Sequence, residues 1–115
     1  MTFNKYRVAP KAMRIADGVT FASKAEMARY LELKLLLKNK LITDLELQPE
    51  FELQPSFQYG GQKIRAIKYI ADFSYMENGR RIYEDVKGVK TKEFAIKYKL
   101  FLYKWGNTIN LHIIK

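Results

Sequence analysis

The chain has 115 residues, the size of one ordinary domain, and 48% of them are apolar, with eight Tyr and seven Phe, which is enough to fill a core and excludes global disorder. It contains no cysteine, which excludes disulfides and Cys-based zinc sites and makes a reducing compartment the natural expectation. The formal net charge of +9 attracts polyanions, nucleic acid first among them, although many small basic proteins bind none.

The opening residues, Met-Thr-Phe-Asn-Lys-Tyr-Arg, carry no apolar run behind their basic residues, so they do not read as a signal peptide. No window approaches the roughly 20 apolar residues of a membrane span. A soluble, cytoplasmic protein without a membrane partner is expected. Residues 1–20 form a basic arm that ends at the Asp17-Gly18 turn signal and is expected to be loosely ordered, or ordered only on a partner. Residues 21–115 form the domain proper.

A helix is predicted from about Lys24 to Asn39, because Ser23 is a good N-cap and Ser23-Lys24-Ala25-Glu26 has the capping-box pattern. Met27, Tyr30, Leu31, Leu35 and Leu37 give it a broad apolar side. Residues 44–54 then alternate, with Leu45, Leu47, Phe51 and Leu53 on one face and Glu46, Gln48, Glu50, Glu52 and Gln54 on the other, which predicts a half-buried strand. Pro49 removes a ladder donor and argues for an edge or a bulge there. Gly60-Gly61 marks a loop. Residues 67–76 and 80–87 are strand-like and flank Asn78-Gly79, the strongest short hairpin signal. Thr91 caps a second helix that runs to about Trp105 and stops at Gly106. Residues 108–114 read as a last strand. The order is helix, three strands, helix, strand, in one α+β domain.

The hairpin carries the candidate chemistry. With Asn78-Gly79 as a two-residue type I′ loop, Glu77 pairs with Arg80, and counting down the ladder pairs Phe73 with Glu84 and Asp72 with Asp85. The two aspartates then oppose each other at a position where side chains are closest. Opposed carboxylates destabilise a sheet, and a hard divalent cation between them would compensate. Strand period puts Lys87 on the face of Asp85. A carboxylate pair beside an ammonium suits phosphodiester hydrolysis. Two aspartates on a solvated face among lysines would look the same in sequence, and a one-residue bulge would break this register.

The stretches Ile70-Ala71-Asp72-Phe73 and Tyr83-Glu84-Asp85-Val86-Lys87-Gly88 resemble the bipartite signature of the PD-(D/E)XK nuclease superfamily. Over nearly the whole chain the sequence is similar to a family of small phage-encoded endonuclease-like proteins within it. Asn4-Lys5-Tyr6, Asp17-Gly18, residues 21–26, Arg29-Tyr30, Leu47-Gln48-Pro49 and the 88–99 stretch with Thr91, Phe94 and Lys97 also match. The resemblance implies a restriction-endonuclease-like core, with a central mixed sheet flanked by helices, and a DNA endonuclease that uses Mg²⁺ or Mn²⁺. It points to branched recombination intermediates such as four-way junctions as substrate, and to the cytoplasm of a bacterial host. It makes Asp72, Asp85 and the Val86 backbone carbonyl metal ligands, with Glu26 beside them directly or through a water. Lys87 becomes the catalytic lysine, and Gln48 and Lys97 support these groups from behind. The chain departs from the signature at Ala71, where proline is common. Two other readings stay open: a non-catalytic basic nucleic-acid-binding module, and a nuclease-fold remnant with a structural role.

Glu26 has a second role as the N3 residue of a capping box, where it would bond back to Ser23. Gln48 is equally an ordinary polar strand residue. Glu84 faces away from Asp85 and reads as structural or solvated. His112 is the only histidine and lacks metal-binding partners. No Walker-type loop is present, so no nucleotide cofactor is expected, and no Ser-His-Asp arrangement is visible. Basic residues cluster at Lys5, Arg7, Lys11 and Arg14 and again at Lys87, Lys90 and Lys92, where a helix N-terminus also suits a phosphate. Either DNA contact or a solvated face accounts for them. On the second helix Phe94, Tyr98, Phe101 and Trp105 form a stripe for the sheet. Ile96, Leu100 and Tyr103 form a second stripe on nearly the opposite side, expected either to bury in a homodimer or to lie under the N-terminal arm.

Overall fold

The computed structural model describes residues 9–115. A 3-10 turn (Lys11–Arg14) leads into a short antiparallel hairpin, β1 (Ile15–Ala16) and β2 (Val19–Thr20), closed by Asp17 and Gly18, both with positive φ. Helix α1 (Lys24–Lys38) follows. Then come β3 (Thr43–Leu47), β4 (Glu50–Gln54), β5 (Phe57–Tyr59), β6 (Gln62–Ile64), β7 (Ile67–Ile70), β8 (Phe73–Glu77) and β9 (Arg80–Val86). Helix α2 (Lys92–Trp105) crosses over to β10 (Asn110–Ile114).

The chain is α+β, with a mixed four-stranded sheet in the order β10-β9-β8-β3 and two helices. Only β10 runs parallel to its neighbour, β9, as a strand returning through a helix must. Both helices begin where their caps predict. Ser23 Oγ accepts from the Glu26 amide at 3.1 Å, and Thr91 Oγ1 accepts from the Phe94 amide at 3.1 Å. The β8–β9 turn is the expected one. Asn78 and Gly79 both have positive φ, and the ladder runs Glu77↔Arg80 to Phe73↔Glu84.

There are two cores. One joins α1 to the sheet through Phe21, Tyr30, Leu33, Ile42, Phe73, Tyr75 and Ile82. The other packs α2 against Phe51, Leu53, Tyr69 and Ala71, with Tyr83 at its margin. Strand β9 serves both, since Ile82 belongs to the first and Tyr83 to the second. The α2 stripe is as read from sequence: Phe94 and Phe101 are buried, with Tyr98 and Trp105 packed beside them.

Three expectations change. The strand predicted over 44–54 is two strands, and so is the one over 67–76. Leu45 packs in the first core whereas Phe51, an even number of residues on, packs in the second. Ala71 and Phe73 likewise belong to different cores although only two residues apart. Regular alternation forbids both, so each strand changes face at a break, Gln48–Pro49 in one and Ala71–Asp72 in the other. The breaks lie side by side, tied by Gln48 N–H to Asp72 carbonyl (2.9 Å) and Ala71 N–H to Pro49 carbonyl (3.0 Å). Gln48 has φ 54°, a left-handed conformation unusual for a side-chain-bearing residue.

The buried face of α1 also differs. It runs through Glu26, Tyr30 and Leu33, while Leu31 and Leu35 are exposed. Leucines on nearly every side of this helix hide the 3.6-residue period. Finally, residues 11–20 pack on α1: Ala16 and Val19 border the first core, and the Tyr30 hydroxyl donates to Asp17 at 2.6 Å. The Gly60-Gly61 loop is the turn of a separate hairpin, β5–β6.

Candidate metal centre at the strand break

Asp72 sits in the break between β7 and β8. Its amide donates to the Glu84 carbonyl at 2.9 Å, the carbonyl opposite Phe73, so the regular ladder stops one step before an Asp72–Asp85 pair. The break therefore takes the place of the predicted Asp72–Asp85 pair. It does not part the two aspartates. Asp72 Oδ2 accepts from the Val86 amide at 2.7 Å, which holds the carboxyl against the end of β9.

Asp85 is fully buried on the α2 side of β9. Its Oδ2 accepts a short hydrogen bond from the Tyr69 hydroxyl, presented by β7. Its Oδ1 is buried with no hydrogen-bond donor among the described residues and lies 3.5 Å from the Lys87 ammonium. Lys87 is half-buried, with Nζ 4.8 Å from the centre of the Phe94 ring. Its amide, bonded to the Ile114 carbonyl at 2.8 Å, fixes the strand end that carries it.

Glu26 comes from the first turn of α1 and is buried. Its Oε2 accepts from the Ala22 amide at 3.2 Å, one residue before the partner a capping box predicts. Burial first, and the Asp85 charge second, push its carboxyl above the usual range, against the lowering effect of Ala22, Asp72 and Lys87. Asp72 is pushed up to about 8, chiefly by burial, then by the charges of Glu26 and Asp85, against the lowering hydrogen bond from Val86. Glu26, Asp72 and Asp85 thus form one group of mutually repelling carboxyls. The structure brings these three carboxyls and Lys87 near one another.

The donor set fits a hard divalent cation. Every side-chain candidate is a carboxylate oxygen, one buried oxygen lacks a partner, and the group carries charge that burial disfavours. Among the described residues, however, no three His, Cys, Asp or Glu side chains already converge around one point as a finished ligand cage. Val86 joins the site through its amide. Gln48 is exposed and lines a cavity of about 210 Å³ with Glu26, Asp72 and Leu47.

A second cavity, of about 240 Å³, opens on the other side of Lys87, lined by Lys68, Tyr69, Thr91, Phe94 and Lys97 among others. Lys97 stands at this rim, where it pairs with Glu93 at 3.0 Å and not with any of the three carboxyls. Lys90 and Lys92 are exposed around the start of α2. Lys11 is exposed, but the Arg14 guanidinium is engaged by the carbonyls of Ala9 (2.8 Å) and Phe21 (2.6 Å). Lys5 and Arg7 lie outside the described residues.

Two supporting groups escape the sequence reading. Tyr69 looks like an ordinary strand aromatic, and nothing in its spacing announces a hydroxyl aimed at Asp85; burial and that bond push its phenol up. Glu84 is the other. It faces away from Asp85, as expected, but is buried in a fork from Arg29 (2.7 and 2.6 Å), with Tyr75 donating a third, short bond. Arg29 lies one turn after Glu26 on α1, so helix spacing held a usable signal.

Residues 3–115 match the family described as "Protein of unknown function (DUF1064)", and the chain belongs to it. No curated protein matches the chain significantly.

Proposed function

We propose that this DUF1064 chain is a metal-dependent DNA endonuclease of the PD-(D/E)XK kind, with a restriction-endonuclease-like core. The observation that carries the reading is the gathering of Glu26, Asp72 and Asp85 beside Lys87 at a strand break, with the Asp85 Oδ1 buried and without a donor. Structural carboxylates end up neutralised, as Glu84 does by Arg29; these three repel one another, and Glu26 and Asp72 line a cavity.

Asp72 and Asp85 would hold Mg²⁺ or Mn²⁺, with Glu26 and the Val86 carbonyl beside them. A bound ion would polarise the scissile phosphate and lower the pKa of an attacking water. Tyr69 and the Val86 amide hold the two aspartates in place, each through one carboxylate oxygen, leaving the other oxygen of Asp85 free. The Lys87 ammonium, kept at the site by Asp85 and the Phe94 ring, stabilises negative charge as it develops on the phosphate. Lys68 and Lys97 line the adjoining cavity where the flanking backbone would run, and Lys90 and Lys92 extend the positive surface. Two active sites in a two-fold homodimer suit paired cuts, with four-way junctions as the branched substrate. The outer α2 stripe favours this assembly, since Ile96 is 62%, Leu100 42% and Tyr103 89% exposed.

The test is incubation of the pure protein with labelled duplex and four-way-junction DNA, in Mg²⁺, in Mn²⁺ and in chelator. Cleavage should require the metal and vanish in Lys87→Ala, which should still bind DNA nearly as well, since one charge in 21 contributes little to affinity. Full cleavage by Lys87→Ala would remove that lysine from the mechanism. The absence of a preformed three-donor cage favours one other reading, a DNA-binding module without catalysis. Metal-independent binding with no cleavage of either DNA would establish it.

A further inference from the structure

Among the described residues the β5–β6 hairpin is bonded to no other strand and contributes no residue to either core. An isolated hairpin gains little stability by itself, so its residues call for another explanation. Tyr59, beside the turn, is 77% exposed, and Phe57, on the same face, is 46% exposed. Lys63 and Arg65 are exposed on the returning side. From residue 53 to residue 71 the chain carries Lys63, Arg65 and Lys68 and no acidic residue, although it has 12 acidic residues in all.

The hairpin is rooted beside the candidate site. The cavity next to Lys87 and a neighbouring one of about 380 Å³ share Lys68, Glu93 and Lys97, and the second is lined by Ala66 and Ile67 at the hairpin base and by Ile96 and Leu100, where it borders the proposed dimer contact. A continuous surface therefore runs from Lys87 to the root of β6. From Ile67 to the turn is about 20 Å of strand, roughly the length of five or six stacked base steps.

From this placement we infer that the β5–β6 hairpin is a second DNA-binding site, specific for unpaired or splayed bases near the point of cleavage. It rests on the proposed function, since it supplies substrate selection to that site. Lys63 and Arg65 take the phosphates of the strand leaving the Lys68–Lys97 surface. Tyr59, supported by Phe57, offers a free aromatic face on which a base can stack; paired bases within a duplex are already stacked and present no free face. Lys63, Arg65 and Lys68, with no acidic residue between positions 53 and 71, match a phosphate backbone.

Binding measured in chelator, by fluorescence anisotropy on an intact duplex, a forked duplex and a four-way junction, tests the inference without requiring cleavage. Tyr59→Ala should bind the fork on the order of tenfold more weakly while duplex affinity stays within about twofold, and Tyr59→Phe should restore the fork. Lys63→Ala/Arg65→Ala should weaken all three and reduce the salt slope by about two. Tyr59→Ala binding the fork as tightly as the wild type, with an unchanged far-UV spectrum, would overturn the inference and leave the nuclease reading standing. Loss of self-association with unaltered DNA affinity would overturn it too, by assigning the hairpin to a protein contact. Wild-type protein that binds none of the three DNAs would overturn both readings.

Discussion

Replacing Asp72 by asparagine removes one charge from the carboxyl group and keeps an oxygen for the Val86 amide. In the folded chain Asp72 titrates at about 8 instead of 3.8. Between those values the folded chain holds a proton that the unfolded chain releases, so stability falls as pH rises through that window. Four pKa steps would set a ceiling of about 5–6 kcal/mol. Asp72 is only half-buried, so screening leaves about 1–3 kcal/mol. For a chain of this size that is a melting-temperature difference of about 4–12 °C. Melts of wild type and Asp72→Asn in chelator, from pH 5 to pH 8.5, should therefore diverge, with the variant gaining relative to wild type as pH rises. Mn²⁺ or Mg²⁺ at pH 8 should close the gap by stabilising the wild type, by about 2.7 kcal/mol at a hundredfold excess over Kd. Parallel pH profiles, with equal metal response in both proteins, would refute the argument that burial and carboxylate repulsion at Asp72 prepare a cation site.

Arg29→Ala should destabilise the fold by about 3 kcal/mol in urea titration, because it leaves Glu84 buried without its fork, and Arg29→Ala/Glu84→Gln should recover part of the loss. Tyr69→Phe should cost about 1–3 kcal/mol and slow cleavage, since both Asp85 oxygens would then lack a donor; unchanged stability and rate would show that the phenol does not position Asp85. Leu100→Glu should convert a dimer into a monomer in sedimentation equilibrium at tens of micromolar, and a wild type that is monomeric there excludes the α2 interface.

Local rules carried the sequence reading where one short segment decides the outcome. Ser23 and Thr91 start their helices, Asn78-Gly79 sets the β8–β9 register, and the Phe94–Trp105 stripe finds its core. The reading lost ground where two segments must agree. Pro49 hinted at one strand break, but Ala71-Asp72 bears neither Gly nor Pro, and its break is enforced by the strand beside it through the Gln48–Asp72 and Ala71–Pro49 bonds. The leucine-rich surface of α1 hid which side would be covered, because burial there depends on where the sheet lies. The signature picked out Glu26, Asp72, Asp85 and Lys87 as candidates; the bonds of Tyr69 and of the Arg29–Glu84–Tyr75 cluster were not legible, since they exist only once three separate strands and a helix meet.

The paired breaks also govern how a gene for this chain can change in length. Deleting one residue at Gln48–Pro49 would turn Phe51 and Leu53 toward solvent and carry Glu50 and Glu52 into the α2 core, with no correction before the joint at Pro55–Ser56. A deletion at Ala71–Asp72 would do the same to Tyr69 and displace the site with it. Beyond the joint the constraint lifts: β5 and β6 can grow or shrink by matched pairs of residues without moving either core. Relatives of this chain should therefore keep fixed spacing around 47–50 and 70–73, and should vary in length between 55 and 66.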